Sequence, residues 1–330
     1  MLCHGAGYPQ DGDIKLLYFR CISMLLYFFI LLLLAVILGG SYYAYRYCFY
    51  NSMKEREKIP STSGHQYDPY RERMKRMFLQ LQDRPCEFVT IQSHDGLTLS
   101  GRYYHVKDGA PVDIAFHGYR SSPMTDFSGG SQLSFDMGHN LILVDQRAHG
   151  RSQGRSIAFG IQERHDCLRW IEYALERFGE DVQIFLYGIS MGGATVLMAS
   201  GMGLPTNVKG IVADCPYSST KDIICKVAKT MNLPVKLCWP FVKLGAKIFG
   251  GFDIEETDAI AAVKTSSTPI LIIHGEADGF VPCEMSDLVA HNPQKITRVT
   301  FPGADHGISY LVNEAEYRNA VYAFVEKVSR

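Results

Sequence analysis

The stretch from Val182 to Gly193 constrains the chain more than any other. An apolar run, Val182 to Tyr187, meets Gly188-Ile189-Ser190-Met191-Gly192-Gly193 and continues into small residues, Ala194 to Ala199. An apolar strand, a glycine-flanked turn and a helix together hold the central side chain proud of the carboxyl edge of a sheet. Gly188 and Gly192, two residues either side of Ser190, leave room where a Cβ would strike the turn. The helix opening behind Ser190 adds free N–H groups and the positive end of its dipole. The same letters also describe a glycine-rich turn with an incidental serine. A base and an acid have to be found elsewhere in the chain.

The strands around this stretch define the fold class. Glu87 to Ile91 and Leu97 to Tyr104 alternate around Asp95-Gly96, a hairpin signal. Val112 to Phe116, Leu141 to Val144, Val208 to Ala213, Ile270 to Ile273 and Ile296 to Phe301 are short apolar strands. Glu163 to Phe178 has helical periodicity and stops before Gly179. Uninterrupted apolar strands alternating with helices predict an α/β fold, a mainly parallel sheet of about eight strands covered on both faces. Functional groups of such sheets gather at the carboxyl ends of the strands.

The N-terminal segment is of another kind. Cys21 to Leu38 is apolar apart from Ser23, long enough to cross the hydrocarbon core as a helix. Tyr42, Tyr43, Tyr45, Tyr47 and Tyr50 follow and suit an interfacial aromatic belt. A retained anchor is favoured over a cleaved signal peptide, for which the run is long and Leu38-Gly39-Gly40 a poor cleavage site. Arg46, Lys54, Arg56 and Lys58 after the span, against Lys15 and Arg20 before it, favour a cytoplasmic C-terminal domain. The nine cysteines, odd in number and without a Cys-x-x-Cys pair, favour the same side. A signal-anchor with its domain outside is the alternative. The expected division is a tail over 1–15, an anchor over 16–40, a juxtamembrane linker over 41–84 and a catalytic domain over 85–330. Within the linker, Arg71 to Leu81 reads as a basic amphipathic helix.

Two strand ends supply what Ser190 lacks. One carries His274-Gly275-Glu276-Ala277-Asp278, the last Pro302-Gly303-Ala304-Asp305-His306. A serine hydroxyl needs an imidazole to take its proton, and the imidazole needs a carboxylate to fix its tautomer. His306 fits the base and Asp278 the acid, in the order serine, acid, histidine. Asp305 adjoins His306, but adjacent side chains in an extended loop point apart. Asp214 is an alternative acid at the end of its strand. Glu276, His117, His149 and His274 suit structural hydrogen bonds beside turns, and Asp145 and Arg147 suit pinning their own loop.

These motifs together resemble the α/β-hydrolase superfamily. The resemblance runs over about residues 85–330 and rests on His117-Gly118, Asp145 to Ser152, Gly188 to Gly193, His274 to Asp278 with Val281-Pro282, and Asp305-His306. It is greatest to the serine-hydrolase branch of esterases, monoacylglycerol-lipase-like and serine aminopeptidase-like proteins, including membrane-anchored members and bacterial relatives. Ala148 stands where many relatives have glycine. The resemblance implies Ser190, His306 and Asp278 as a catalytic triad. It also implies the backbone N–H groups of Tyr119 and Met191 as the oxyanion hole. His117, Gly118, Arg120, Trp239 and Phe280 are the expected substrate contacts.

Residues 217–263 fall between core strands and are expected to form a cap of two or three short helices. Its lysines, Lys221 to Lys247, either face solvent or meet anionic lipid at a bilayer. The reading is a membrane-anchored serine hydrolase cleaving a small or acyl-lipid carboxylic ester. A peptidase, a thioesterase or acyltransferase, and a non-catalytic binding protein are the alternatives. No metal or cofactor motif appears, and a net charge of −1 gives no field favouring nucleic acid.

Overall fold

The computed structural model describes residues 11–52, 64–290 and 295–330. Its first element, α1 (Asp11–Cys48), is one unbroken helix whose Tyr18–Cys48 portion is long and apolar enough to cross a membrane. The helix α2 (Arg71–Gln82) follows a short 3-10 turn. Its Met74, Phe78 and Leu81 recur at helical spacing and are buried, so they set α2 on the body of the domain.

The sheet begins with β1 (Glu87–Gln92), β2 (Thr98–Tyr104) and β3 (Val112–Phe116). After the short helices α3 (Pro123–Asp126) and α4 (Ser131–Asp136) come β4 (Asn140–Asp145) and α5 (Glu163–Phe178). Next are β5 (Ile184–Ile189), α6 (Met191–Ser200), β6 (Val208–Asp214), α7 (Thr220–Thr230), α8 (Val235–Gly245) and α9 (Ala259–Thr265). The chain closes with β7 (Ile270–Gly275), α10 (Glu284–Val289), β8 (Ile296–Phe301), α11 (Ser309–Val312) and α12 (Glu314–Ser329).

The strands form one eight-stranded sheet in the order β1-β2-β4-β3-β5-β6-β7-β8. The β1–β2 and β2–β4 pairs are antiparallel and the rest parallel. Strands β3, β4 and β7 are buried throughout, as strands covered on both faces must be. One core, with Trp170, Ile184 and Val196, lies between one face and α5, α6 and α9; α2, α11 and α12 close the other with Phe78, Phe301 and Phe324.

A third core departs from the expected division of the chain. The end of α1 is not a linker. Tyr45 and Phe49 are buried with Met191, Tyr217, Val242 and Phe252, and the Phe49 ring meets those of Phe159 and Phe252 at 5.8 and 5.3 Å. The chain after α1 is tied down as well, by an isolated β-bridge between Tyr50 and Ser156 and by an Asn51 Nδ2 bond to the Ala148 carbonyl at 2.9 Å. The helix runs to Cys48, past the expected end at residue 40, and one side of its final turns, with Ser41 and Tyr45, is buried against the protein while Tyr42, Tyr43 and Tyr47 stay exposed. Of the stretch 41–84, the described residues 41–52 and 64–84 thus lie largely in α1 and α2 and pack on the body of the domain. Lys54, Arg56 and Lys58, used above for orientation, lie outside the described residues.

Residues 217–263 hold α7, α8 and a π-helical turn, Ala246–Gly250. Ser219 starts α7 by accepting from the Asp222 N–H. Helix α8 packs directly on α1: a Cβ on Gly245 would collide with the Ser41 carbonyl.

Candidate active site

Three loops at the carboxyl end of the sheet converge. Ser190 ends β5 with φ 54° and ψ −112°, a backbone conformation that costs roughly 1–3 kcal/mol outside glycine. The turn closes because Gly188 and Gly192 lack side chains. A Cβ on Gly188 would strike the Gly192 carbonyl, and one on Gly192 the Phe116 carbonyl. The Ser190 N–H donates to the Asp214 carbonyl at 2.8 Å, which braces the turn from β6.

Asp278 follows β7 and His306 follows β8. His306 Nε2 is 3.0 Å from Ser190 Oγ, and its Nδ1 is 2.7 Å from Asp278 Oδ2. Asp278 Oδ1 accepts from the N–H groups of Phe280 and Val281 at 2.9 and 2.7 Å. Burial raises the pKa of this carboxyl, but hydrogen bonds from His274, His306 and the backbone outweigh it and hold the pKa at about 2. The group is therefore a carboxylate across the physiological range and orients Nδ1–H. His274 is wholly buried below it, with Nε2 bonded to the Val281 carbonyl at 2.9 Å. Asp305 points away from the imidazole: its Oδ1 accepts from the N–H groups of Gly279 and of His306 itself. Asp214 accepts from the Tyr317 hydroxyl at 2.9 Å, and burial raises its carboxyl to about 6. Glu276 bonds Thr300 at the surface.

The loop after β3 faces Ser190. The backbone N–H groups of Tyr119 and Met191 donate to no described protein acceptor, in contrast to their neighbours. Gly118 N–H donates to Asp126 Oδ2 at 2.7 Å, and Arg120 N–H donates to His149 Nε2 at 3.1 Å. Gln146 Nε2 donates to the His117 carbonyl. Three side chains from two other segments, Asp126 from α3 and Gln146 and His149 from the loop after β4, thus hold the loop on both sides of Tyr119. Arg120 itself sits at φ 51°. Asp126 and His149 are positioning residues that sequence reasoning did not assign to the site. Ser122-Pro123 announces the short helix α3, but not that the carboxylate at its end turns back to Gly118.

Two of the expected substrate contacts are corrected by the structure, and a third is altered. His117 is fully buried, bonded through its ring to the Gly118 carbonyl and the Gln146 N–H, and lines neither cavity at Ser190. Burial holds it well below the usual imidazole range, so it is a neutral strut. Trp239 packs on the third core with Lys221 over its ring and also lines neither cavity. Arg120 lines a cavity, but its guanidinium is engaged by the Tyr47 and Tyr50 carbonyls at 2.9 and 3.1 Å. Gly118 and Phe280 do line the site, the Phe280 ring lying 5.2 Å from that of His306.

Two cavities meet at Ser190. One, of about 480 Å³, is mostly apolar and runs between α7, α8 and the last turns of α1, past Ile224, Val227, Ala228 and Phe241. The other, of about 230 Å³, runs towards α2 and α11, past Ser121, Asp126, Asp214, Tyr310 and Tyr317. Asp126 is half-buried there, and burial raises its carboxyl pKa.

Comparison with known proteins agrees with this architecture. Residues 116–232 match the family model for the α/β hydrolase fold. The uncharacterised protein YqkD of Bacillus subtilis is 24% identical over 242 residues, covering 72% of this chain and 79% of its own length. Among solved structures, the esterase Pf2001 of Pyrococcus furiosus superposes with a TM-score of 0.61 at 22% identity, over 76% of this chain and 95% of that one. Est1E of Butyrivibrio proteoclasticus, solved with ferulic acid bound, superposes with a TM-score of 0.54 at 21% identity, over 73% and 98%. The chain has the α/β hydrolase fold.

Proposed function

We propose that this chain is a membrane-anchored serine hydrolase that cleaves a carboxylic ester through an acyl-enzyme. The observation that carries the reading is the hydrogen-bonded series Ser190, His306, Asp278; the N–H groups of Tyr119 and Met191, which donate to no described acceptor, are taken as the oxyanion hole. Ser190 Oγ attacks the ester carbonyl carbon while His306 Nε2 takes its proton. The carbonyl oxygen becomes an oxyanion held by the two N–H groups, donors fixed in place before the reaction. Collapse expels the alcohol, which receives its proton from His306 and leaves an acyl group on Ser190. Water then gives its proton to His306, attacks the acyl carbon and releases the acid. Asp278 remains ionised throughout and stabilises the imidazolium.

The apolar cavity suits the acyl group and the smaller, more polar one the alcohol. Esterase neighbours at the level of fold support the reaction class. The exposed apolar length of α1 supports anchoring. The eight described cysteines are all free, which supports a cytoplasmic catalytic domain.

The test is hydrolysis of p-nitrophenyl esters, acetyl to palmitoyl, by the full chain in lipid nanodiscs and by Ser190→Ala. The variant should lose about 10⁴-fold or more in kcat. Equal rates in the two proteins would overturn the assignment. Fluorophosphonate labelling of Ser190 without ester cleavage would move the substrate class to peptides or a narrow acyl donor.

A further inference from the structure

We propose that the final turns of α1 are a wall of the acyl-binding cavity, through which the chain of a membrane-resident acyl ester enters directly from the bilayer beside α1. The inference rests on the serine-hydrolase reading above and assigns the acyl site a part that no core motif supplies. Tyr43, Ala44, Tyr47 and Cys48 line the apolar cavity that ends at Ser190, opposite the cap residues Val227 and Ala228. Gly40 lines it too, and is the lining residue nearest the exposed apolar run of α1. The cavity is therefore continuous from the nucleophile to the point where the helix leaves the domain. A volume of about 480 Å³ lies within the range of small-molecule sites, about 300–1,000 Å³.

The surface around this exit has the character of a membrane-facing surface. Among the described residues outside α1, five of the eight exposed large apolar side chains are in the cap: Met231, Leu233, Leu237, Ile248 and Phe249. Scattered apolar residues on a surface need no explanation, but a set grouped beside a membrane-length helix does. Phe249 meets the rings of Tyr42 and Tyr45 on α1 at 5.2 and 5.9 Å, so the apolar surface of the cap and that of α1 join. An acyl chain leaving a bilayer along this path stays against apolar groups from lipid to cavity and avoids exposure of roughly 0.8 kcal/mol per methylene to water.

The oxyanion loop is fastened to the same helix end. The Tyr119 hydroxyl donates to the Cys48 carbonyl at 2.7 Å, and Arg120 donates to the Tyr47 and Tyr50 carbonyls. The Tyr47 and Cys48 carbonyls are among those a helix C-terminus leaves without intrahelical partners. The helix end, acyl cavity and oxyanion loop are consequently one structural unit.

The experiment uses the full chain in nanodiscs with Ala44→Trp, which fills the cavity from α1, and the gentler Ala44→Leu. Labelling of Ser190 by an ethyl fluorophosphonate reports that each variant is folded. The ratio of kcat/KM for p-nitrophenyl palmitate to that for butyrate should fall at least tenfold in Ala44→Trp and less, in the same direction, in Ala44→Leu. A second arm uses Ser190→Ala protein and a non-hydrolysable hexadecyl ether bearing a diazirine. Photocross-links should map to the cavity wall, including Ala228, and disappear when Ala44→Trp is added. Unchanged ratios in the folded variants, or cross-linking at Ala228 undiminished by Ala44→Trp, would overturn the proposal. Cross-linking that Ala44→Trp abolishes, in a protein that hydrolyses no ester, would sustain the α1 wall and remove the esterase reading instead.

Discussion

The two cavities that meet at Ser190 are built from different material. The more polar one is walled by loops and helices of the sheet domain, among them Asp126, which holds the Gly118 N–H, and Asp214, whose backbone carbonyl braces the serine turn. The apolar one is walled by segments laid over that domain, α1 on one side and the cap on the other. One side of the serine is thus organised to hold backbone atoms still, and the other to offer a surface. The two sides meet in the loop at Tyr119, which is itself tied to the end of α1, so a substitution should reveal which side it acts through by whether its effect depends on acyl length.

The largest effect expected is at Asp126. Asp126→Ala removes the acceptor for Gly118 N–H and should lower kcat by about 100-fold on short and long esters alike, the usual cost of about 1 Å of misplacement. Asp126→Asn keeps an acceptor and, since burial already favours the neutral acid, should recover most of the rate. A chain-length-dependent loss in Asp126→Ala would break the separation.

Asp214 tests the same side through stability. Its folded-state pKa of about 6 lies above the ordinary carboxylate value, so its contribution is fully present below the unfolded pKa and is lost as pH rises through 6. Asp214→Asn keeps an acceptor for the Tyr317 hydroxyl and escapes this loss. It should therefore gain up to roughly 3 kcal/mol over the wild type at pH 8, with the difference vanishing below pH 4. Thermal unfolding in detergent at the two pH values measures it; a pH-independent difference would show that the carboxyl is not the cause.

On the apolar side, Ile224→Ala should lower kcat/KM for palmitate about tenfold and for butyrate much less, the scale expected for trimming a hydrophobic pocket. Equal losses on both esters would put Ile224 with the polar side.

What could be read from the chain follows the same boundary. The sheet, the turn at Ser190 and the approach of Asp278 and His306 follow from strands, glycines and order along the sequence, because each motif is local and the parallel sheet brings strand ends together. His117 carried two expectations, a structural hydrogen bond from its place beside a turn and a substrate contact from the family resemblance, and the structure agrees with the first. Only tertiary structure reveals that its ring faces Gln146 and the Gly118 carbonyl. Trp239 was misplaced for a related reason: an amphipathic helix shows that it has an apolar face, not which core that face meets. The end of α1 was least legible. A tyrosine-rich stretch after a membrane-length run suits a lipid interface equally well, and nothing local distinguishes a headgroup from Phe252 and Val242 as its neighbour. Asp126 and His149 act through single backbone bonds across the fold, which leave no pattern in sequence.

The contact between Gly245 and Ser41 has one more consequence. Where two helices touch backbone to backbone there is no slack between them, so a catalytic domain moored in this way cannot swing out on its stalk. With α1 in a membrane, as proposed above, it would sample molecules that diffuse laterally to its own base, and its working concentration scale would be molecules per area rather than per volume.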